Sequence, residues 1–252
     1  MPDHIEARIH EAAGIIRSAR HLVAFTGAGI SVESGVPPFR GPDGLWSSYD
    51  SKYLELSYFH RHPDKCWTIL KEIFYEHFAA ARPNEAHRVL AALEKQGLLK
   101  AVITQNIDNL HQLAGSKKVI EFHGNTRDLL CLSCGRITAA NPEVLEVLPP
   151  RCSCGGILKP DCIFFGEGIP QAAWFESRRE IESTDALLIV GSTGEVYPAA
   201  SLPHQAAGNG ATIIEINPGE SNFTHTITDL FVALPAGDAM KRIEELLQAG
   251  VG

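Results

Sequence analysis

His21–Thr26 reads H-L-V-A-F-T, apolar at consecutive positions and followed at once by the turn Gly27-Ala28-Gly29. That pattern predicts a buried strand feeding a loop. Four similar runs follow, at Ala101–Thr104, Val119–Phe122, Ala186–Val190 and Ala211–Ile216. Helical periodicity separates several of them, notably over Glu85–Gln96, Gln171–Ile181 and Ala239–Gln248. Strands that are apolar on both faces and interleaved with helices predict an α/β fold, a parallel sheet covered on both sides. Ligands of such sheets bind beyond the carboxyl ends of the strands.

Two stretches break the alternation. Residues 42–82 hold Trp, Tyr, Phe and His in helical and loop patterns, and predict a helical insert. Residues 127–160 carry four cysteines with little apolar periodicity, and predict a metal-stapled insert. The remaining segments, 1–41, 83–126 and 161–252, are expected to build the sheet domain.

The chain has 252 residues, 44% of them hydrophobic, and a formal net charge of -8. Nucleic acid as a direct partner is not expected, because it requires clustered Lys and Arg. A lysine-rich protein segment is compatible with that charge. No apolar run approaches the roughly 18 residues that span a bilayer, so no membrane association is expected. The start, M-P-D-H-I-E-A-R-I-H, reads as a charged helix rather than a secretory signal, and the expected location is cytoplasmic.

Cys131-x-x-Cys134, 17 residues, then Cys152-x-Cys154 is the sharpest motif. Glycines behind each pair (Gly135, Gly155, Gly156) allow tight knuckles that turn the sulfurs toward one ion. Four thiolates make a closed tetrahedral zinc site with no position for reactive water. Disulfides are the alternative, and a reducing cytosol disfavours them. Cys66 and Cys162 have apolar neighbours and read as core cysteines.

The remaining chemistry lies just past predicted strand ends. Gly27-Ala28-Gly29 is either a phosphate turn or a plain tight turn, and Val32 stands where the third glycine of a dinucleotide fingerprint belongs. The loop after it packs Ser31, Glu33, Phe39 and Arg40 around two prolines, which suits a segment closing over a ligand. Gln105, Asn106 and Asp108 either read a carboxamide and ribose hydroxyls or cap a helix. His123 is either a hydrogen-bonded structural residue or a base. Gly191-Ser192-Thr193 forms a second phosphate-type turn, and Asn217 ends another strand where it could bond a ribose.

Taken together, G-A-G-I-S-V-E-S-G-V-P-P-F-R-G, T-Q-N-I-D-N-L-H, E-F-H-G-N, the four cysteines, K-P-D-C-I-F-F-G-E, G-S-T-G-E-V-Y-P-A-A and I-E-I-N resemble the sirtuin family, NAD-dependent protein lysine deacylases of prokaryotic type. The resemblance covers nearly the whole chain. It implies a Rossmann-like domain with a smaller domain of helical and zinc modules, NAD as co-substrate, structural zinc, and acylated lysine side chains of proteins as substrate. It implies that Gly27, Ala28 and Gly29 cradle the pyrophosphate, with Gly191, Ser192 and Thr193 helping. Ser31, Glu33, Phe39, Arg40 and Trp46 would belong to the cofactor loop, Phe39 shielding the reacting ribose. Asn106, Ile107 and Asp108 would hold the nicotinamide, Gln105 its ribose, and Asn217 and Ala236 the adenosine end. Ile163, Phe164, Gly166, Glu195 and Val196 would line a groove that takes the peptide as an added strand. Asn106 and His123 would be catalytic: the acyl oxygen attacks the ribose, nicotinamide leaves, and His123 accepts a ribose hydroxyl proton.

The chain departs from the family pattern at Pro38, where Asp or Thr is frequent, and at Gly194-Glu195, which puts an acid beside the groove. In W-T-I-L-K-E-I-F-Y, Leu70 and Ile73 stand where desuccinylating sirtuins carry Tyr-x-x-Arg. They are expected to line an apolar acyl pocket, or else simply to be helix core. A carboxylate buried against Leu and Ile is costly, so apolar acyl groups are expected to be preferred over succinyl. Mono-ADP-ribosyl transfer is the nearest rival reading. A non-catalytic NAD- or zinc-dependent interaction module and a zinc hydrolase are more distant ones.

Overall fold

The computed structural model describes residues 2–38 and 44–249. In chain order the elements are α1 (Pro2–Ser18), β1 (Leu22–Thr26), a 3-10 segment (Ala28–Ser34), α2 (Leu45–Ser48), a 3-10 turn (Ser51–Leu54), α3 (Leu56–Arg61) and α4 (Pro63–Leu70). A π-helical stretch (Lys71–His77) and a short 3-10 turn (Phe78–Ala80) lead to α5 (Glu85–Lys95), β2 (Leu99–Thr104), α6 (Leu110–Ala114), β3 (Val119–Glu121), β4 (Gly124–Cys131) and β5 (Ile137–Ala139). Then follow β6 (Leu158–Cys162), α7 (Gln171–Ser183), β7 (Ala186–Val190), α8 (Ser201–Gly208), β8 (Thr212–Ile216), β9 (Leu230–Val232) and α9 (Ala236–Ala249).

Six strands form one sheet in the order β3-β2-β1-β7-β8-β9, every neighbouring pair parallel. The apolar runs alternate between the two sheet faces. Leu22, Ala24, Ala186, Leu188 and Val190 pack with α1, α5 and α9, whereas Val23, Phe25, Leu187 and Ile189 pack with α7 and α8 residues on the opposite side. Burial on both faces is why no polar alternation marks these strands. The chain runs outward from β1 to β3, then crosses to β7, so the order reverses between β1 and β7. That reversal opens a crevice at the carboxyl ends of the two central strands.

All five predicted strands are present, with ends shifted by at most two residues. The sixth, β9, escaped notice because three residues are too few to show a period. The segment 127–160 is less loop-like than expected: β4 is antiparallel to both β5 and β6. Hydrogen bonding across the knuckles, rather than apolar periodicity, makes these strands.

The two inserts share one core. Phe59, Trp67, Leu70 and Phe74 of the helical stretch pack with Leu129, Leu145 and Leu158 of the cysteine-bearing stretch. Trp67 is fully buried and its indole N–H donates to the Leu158 carbonyl at 2.8 Å. Lys71 Nζ donates to the Leu145 carbonyl at 3.1 Å. We propose the division at residues 42–82 and 127–160 as two modules of one small domain; β4 and β6 run through those limits and tie it to the sheet domain. Trp67→Phe removes the indole donor and leaves a buried carbonyl unpaired. It is expected to lower stability by about 1–3 kcal/mol, read from the urea unfolding midpoint.

Candidate active site and metal centre

The crevice is walled by the turns after β1, β2 and β7. Gly27 and Gly29 are packed against Gly191: an added Cβ would lie 2.7 Å from the Gly191 carbonyl oxygen at position 27 and 2.7 Å from Gly191 Cα at position 29. Gly191 itself has φ +65, and its Cβ would meet Ile30 N at 2.1 Å. The glycines are therefore required by the approach of two turns. Gly27 N–H donates to Val190 O and Gly29 N–H to Gly191 O, so these two donors are spent within the protein. Ala28 N–H, opening the 3-10 segment, makes none of the recorded bonds and stands at the crevice.

Gln105 joins the turns, its amide donating to Ser192 Oγ at 3.0 Å. Asn106 is nearly buried; its Nδ2 donates to Gly27 O and to Ser31 Oγ, both at 3.1 Å, and its main-chain N–H to Thr104 Oγ1 at 3.0 Å. Ser31 Oγ donates to Asp108 at 2.7 Å. Burial raises the Asp108 carboxyl above its ordinary range, against hydrogen bonds from Leu110 N–H, Ser31 and Asn106.

His123 follows β3, and its Nδ1 lies 3.1 Å from the Gln105 carbonyl. A carbonyl only accepts, so Nδ1 carries the hydrogen and the neutral ring keeps its lone pair on Nε2. Burial lowers the His123 pKa, opposed by the bond to Gln105. His123 lines the crevice.

Of the residues expected at a cofactor, Gly27, Ala28, Gly29, Trp46, Gln105, Asn106, Ile107, Gly191, Ser192, Thr193 and Asn217 line one cleft together with His123. Ile163, Phe164, Gly166 and Val196 line it too. Ser31 and Asp108 stand behind Asn106 and position it rather than form the wall. Glu33 is placed differently from the expectation: its carboxylate accepts from Gly237 N–H at 2.6 Å, capping the first turn of α9, where Ala236 is buried. Glu195 is exposed and is not among the cleft-lining residues. Phe39 and Arg40 lie outside the described residues. Leu70 and Ile73 are 0% and 2% exposed in the small-domain core and do not line the cleft, so the helix-core alternative describes their position. Helical periodicity alone could not tell a core face from a pocket face.

Other wall residues lie in the quoted stretches K-P-D-C-I-F-F-G-E and G-S-T-G-E-V-Y-P-A-A but were given no individual role there. Cys162, though buried, lines the cleft, as do Phe165, Glu167 and Tyr197. Lys159 is 2% exposed; its Nζ donates to the Pro160 and Cys162 carbonyls and meets Glu167 at 3.0 Å. It lies 4.2 Å above the Phe164 ring and so holds the groove segment in place. Phe165 spends its main-chain groups on Leu54 and Leu56. Beneath the floor, His87 and His111 meet edge to face at 4.9 Å.

Across the cysteine module, Cys131 and Cys154 sulfurs are 3.6 Å apart and Cys134 and Cys152 sulfurs 3.8 Å. All four lie within 4.8 Å of one another. Zinc–sulfur bonds of about 2.3 Å place tetrahedral sulfurs about 3.8 Å apart, so the set fits the ion, and disulfides, needing about 2.05 Å, are not formed. A Cβ at Gly156 would lie 2.8 Å from Cys131 Sγ, which is why glycine turns this knuckle.

A switch-point crevice walled by glycine turns, with a neutral histidine at its edge and a four-thiolate module alongside, defines a Rossmann-like dinucleotide site in a zinc-stapled α/β protein. The Sir2 family profile matches residues 27–198. The chain is 44% identical over 238 residues to an NAD-dependent protein deacylase 2 of Pyrobaculum aerophilum, covering 92% of this chain and 93% of that protein. It is 46% identical over 222 residues to an NAD-dependent protein deacetylase of Sulfolobus acidocaldarius, covering 84% and 85%. Among solved structures, one described as "Structural Basis for the Mechanism and Regulation of Sir2 Enzymes" superposes with TM-score 0.89 at 42% identity, covering 97% and 99%. A Sir2–p53 peptide–NAD+ complex superposes with TM-score 0.87 at 37% identity, covering 96% and 98%. The chain belongs to the Sir2 family, the sirtuins.

The unsubstituted protein is expected to carry one equivalent of zinc by atomic absorption; Cys134→Ser should abolish it, and chelation should lower the melting temperature of the unsubstituted protein only. Burial pushes His87 from 6.5 down to about 4. Between those values the unfolded chain binds a proton that the folded chain refuses, so stability should fall as pH drops through that window. His87→Gln should flatten the slope in urea titrations.

Proposed function

We propose that this chain is an NAD-dependent protein lysine deacylase that consumes NAD, an acylated lysine side chain and one water, releasing nicotinamide, free lysine and O-acyl-ADP-ribose. The observation that carries the reading is His123, whose Nδ1 is bonded to the Gln105 carbonyl and which lines the same cleft as Asn106 and the two glycine turns. Homology supports it: the two relatives above bear deacylase and deacetylase names, and the solved relative was captured with peptide and NAD+. Mono-ADP-ribosyl transfer is not favoured by those relatives.

NAD would supply a ribose carbon already bonded to a good leaving group. The chain's part is to bind, orient and move one proton. Ala28 N–H and the Ser192–Thr193 turn would take the pyrophosphate. Asn106, with Nδ2 fixed by two acceptors, would present Oδ1 to the nicotinamide end. Nε2 of His123 would take a ribose hydroxyl proton, and Gln105 O would stabilise the imidazolium through Nδ1–H. Phe165 and Tyr197, both exposed, and Val196 would flank the peptide. The zinc would hold the small domain and take no chemical step.

The acyl group would sit against Ile107, Cys162, Ile163, Phe164 and Ile169, the apolar part of the cleft. No Lys or Arg is found among the described cleft-lining residues, so a succinyl carboxylate would be desolvated without a partner. This rests on the cleft wall and not on Leu70 and Ile73. A basic protein segment suits the net charge of -8 better than nucleic acid. No described helix is long and apolar enough to cross a membrane, and we place the protein in the reducing cytoplasm, where thiolate ligands persist.

Nicotinamide release from NAD with acetyl-, myristoyl- and succinyl-lysine peptides tests the reading. Release is expected with the two apolar acyl groups and at least about tenfold less with succinyl. His123→Ala should lose about 100-fold or more. The acid limb of the pH profile should fall below the ordinary histidine range, because burial keeps His123 neutral to lower pH. Equal turnover by His123→Ala would remove the base assignment, and efficient desuccinylation the acyl preference.

A further inference from the structure

Asn106 and His123 reach the cleft from two segments, the turn after β2 and the short link between β3 and β4. Besides the bond from His123 to the Gln105 carbonyl, a second set of contacts joins these segments away from the cleft. Its centre is Glu121, the last residue of β3, whose side chain is 16% exposed. The Glu121 carboxylate accepts from both terminal nitrogens of Arg127, Nη1 at Oε1 and Nη2 at Oε2, the latter at 2.7 Å. Gln112 of α6 donates to Oε1 at 2.6 Å, and Asn125 of β4 to Oε2 at 3.2 Å. One carboxylate thus gathers β3, β4 and α6 around the segment that carries His123.

Arg127 extends this clamp to the turn that carries Asn106. Its Nη1 also donates to Asn109 Oδ1 at 2.6 Å. Asn109 Nδ2 donates to Thr126 Oγ1 at 3.4 Å, and that hydroxyl gives its own hydrogen to the Ile107 carbonyl at 2.9 Å. A guanidinium only donates, so the Asn109 amide cannot be turned round. Asn109 is the one non-glycine residue with positive φ among the described residues, at +64. Left-handed backbone carries a steric cost for any side chain, and asparagine tolerates it where its amide is hydrogen-bonded. Here both bonds come from β4. The left-handed residue immediately precedes α6 and follows Asp108, so it fixes the direction in which the Asn106 turn closes.

We propose that Arg127 is a positioning residue for the deacylase reaction: its fork, seated on Glu121, holds Asn109 left-handed and so sets the place of Asn106 relative to His123. The inference rests on the NAD reading above. Arg127, Glu121 and Asn109 are not among the cleft-lining residues, so they act through the two that are. The glycine turns and Asn217 form other parts of the wall, and loss of the clamp should disturb the chemical step more than cofactor binding. The fork matters beyond its charge. A lysine ammonium is a point charge and cannot span both Glu121 oxygens and Asn109 Oδ1 in one plane. Glycine adopts positive φ without a clamp, so Asn109→Gly should make Arg127 largely dispensable.

Steady-state nicotinamide release with an acetyl-lysine peptide, beside a melting temperature for each protein, tests this. Arg127→Leu, at a position 46% exposed, should lower kcat roughly tenfold and change the KM for NAD by less than about twofold. Arg127→Lys should lose nearly as much, and it decides the matter if Arg127→Leu does not fold. Adding Asn109→Gly to Arg127→Leu should win back at least about threefold in kcat. A purely structural role would lower the melting temperature with kcat per folded molecule unchanged, and Asn109→Gly would deepen the defect; either result would overturn the proposal. Full activity of Arg127→Lys would overturn it as well, while leaving the NAD reading intact. Absence of nicotinamide release by the unsubstituted protein would remove both.

Discussion

The close approach of two strand-end turns governs this protein. Gly27 and Gly29 meet Gly191 at distances that no Cβ permits, and the contact fixes β1 against β7 where the strand order reverses. From it follow the crevice, the placement of Ser192 beside Gln105 and the position of Ala28 on the crevice wall. Larger residues at these positions would separate the turns and open the wall between them.

Around that contact the polar groups hold one another by hydrogen bonds more than by ion pairs. Thr104, Ser31 and the Gly27 carbonyl fix Asn106; Gln105 fixes the tautomer of His123; Asn217 is fixed from two sides. Asn106, His123 and Asn217 all line the cleft. Burial keeps the histidines neutral and raises Asp108, so this region is one of oriented dipoles. Such a site needs little reorganisation when charge develops within it.

The small domain contributes by position. Its helical and cysteine-bearing stretches are far apart in sequence, yet Trp67 and Lys71 bond to Leu158 and Leu145 across one apolar core. Lys159, buried between Glu167 and the face of Phe164, transmits that rigidity to the groove segment.

The sequence by itself determined the parallel sheet, because strands buried on both faces must be apolar at successive positions, and it determined the thiolate quartet, because ligand spacing is a local property. It also placed Gly27, Gln105, Asn106, His123, Ser192 and Asn217 at strand ends, and strand ends of one parallel sheet share an edge. Tertiary structure alone decided what each of these faces. Glu33 turned to cap α9, since the N-terminus of a helix 200 residues away came within reach of its carboxylate. Leu70 and Ile73 turned into the small-domain core, since the partner face of their helix is built by the cysteine-bearing stretch. The strand pattern does not show the buried partners of Glu215 and Lys159, which come from looping segments: Ser221, Thr224 and Thr228 for the one and Glu167 for the other. Period and spacing report neighbours along the chain, and these interactions are made across it.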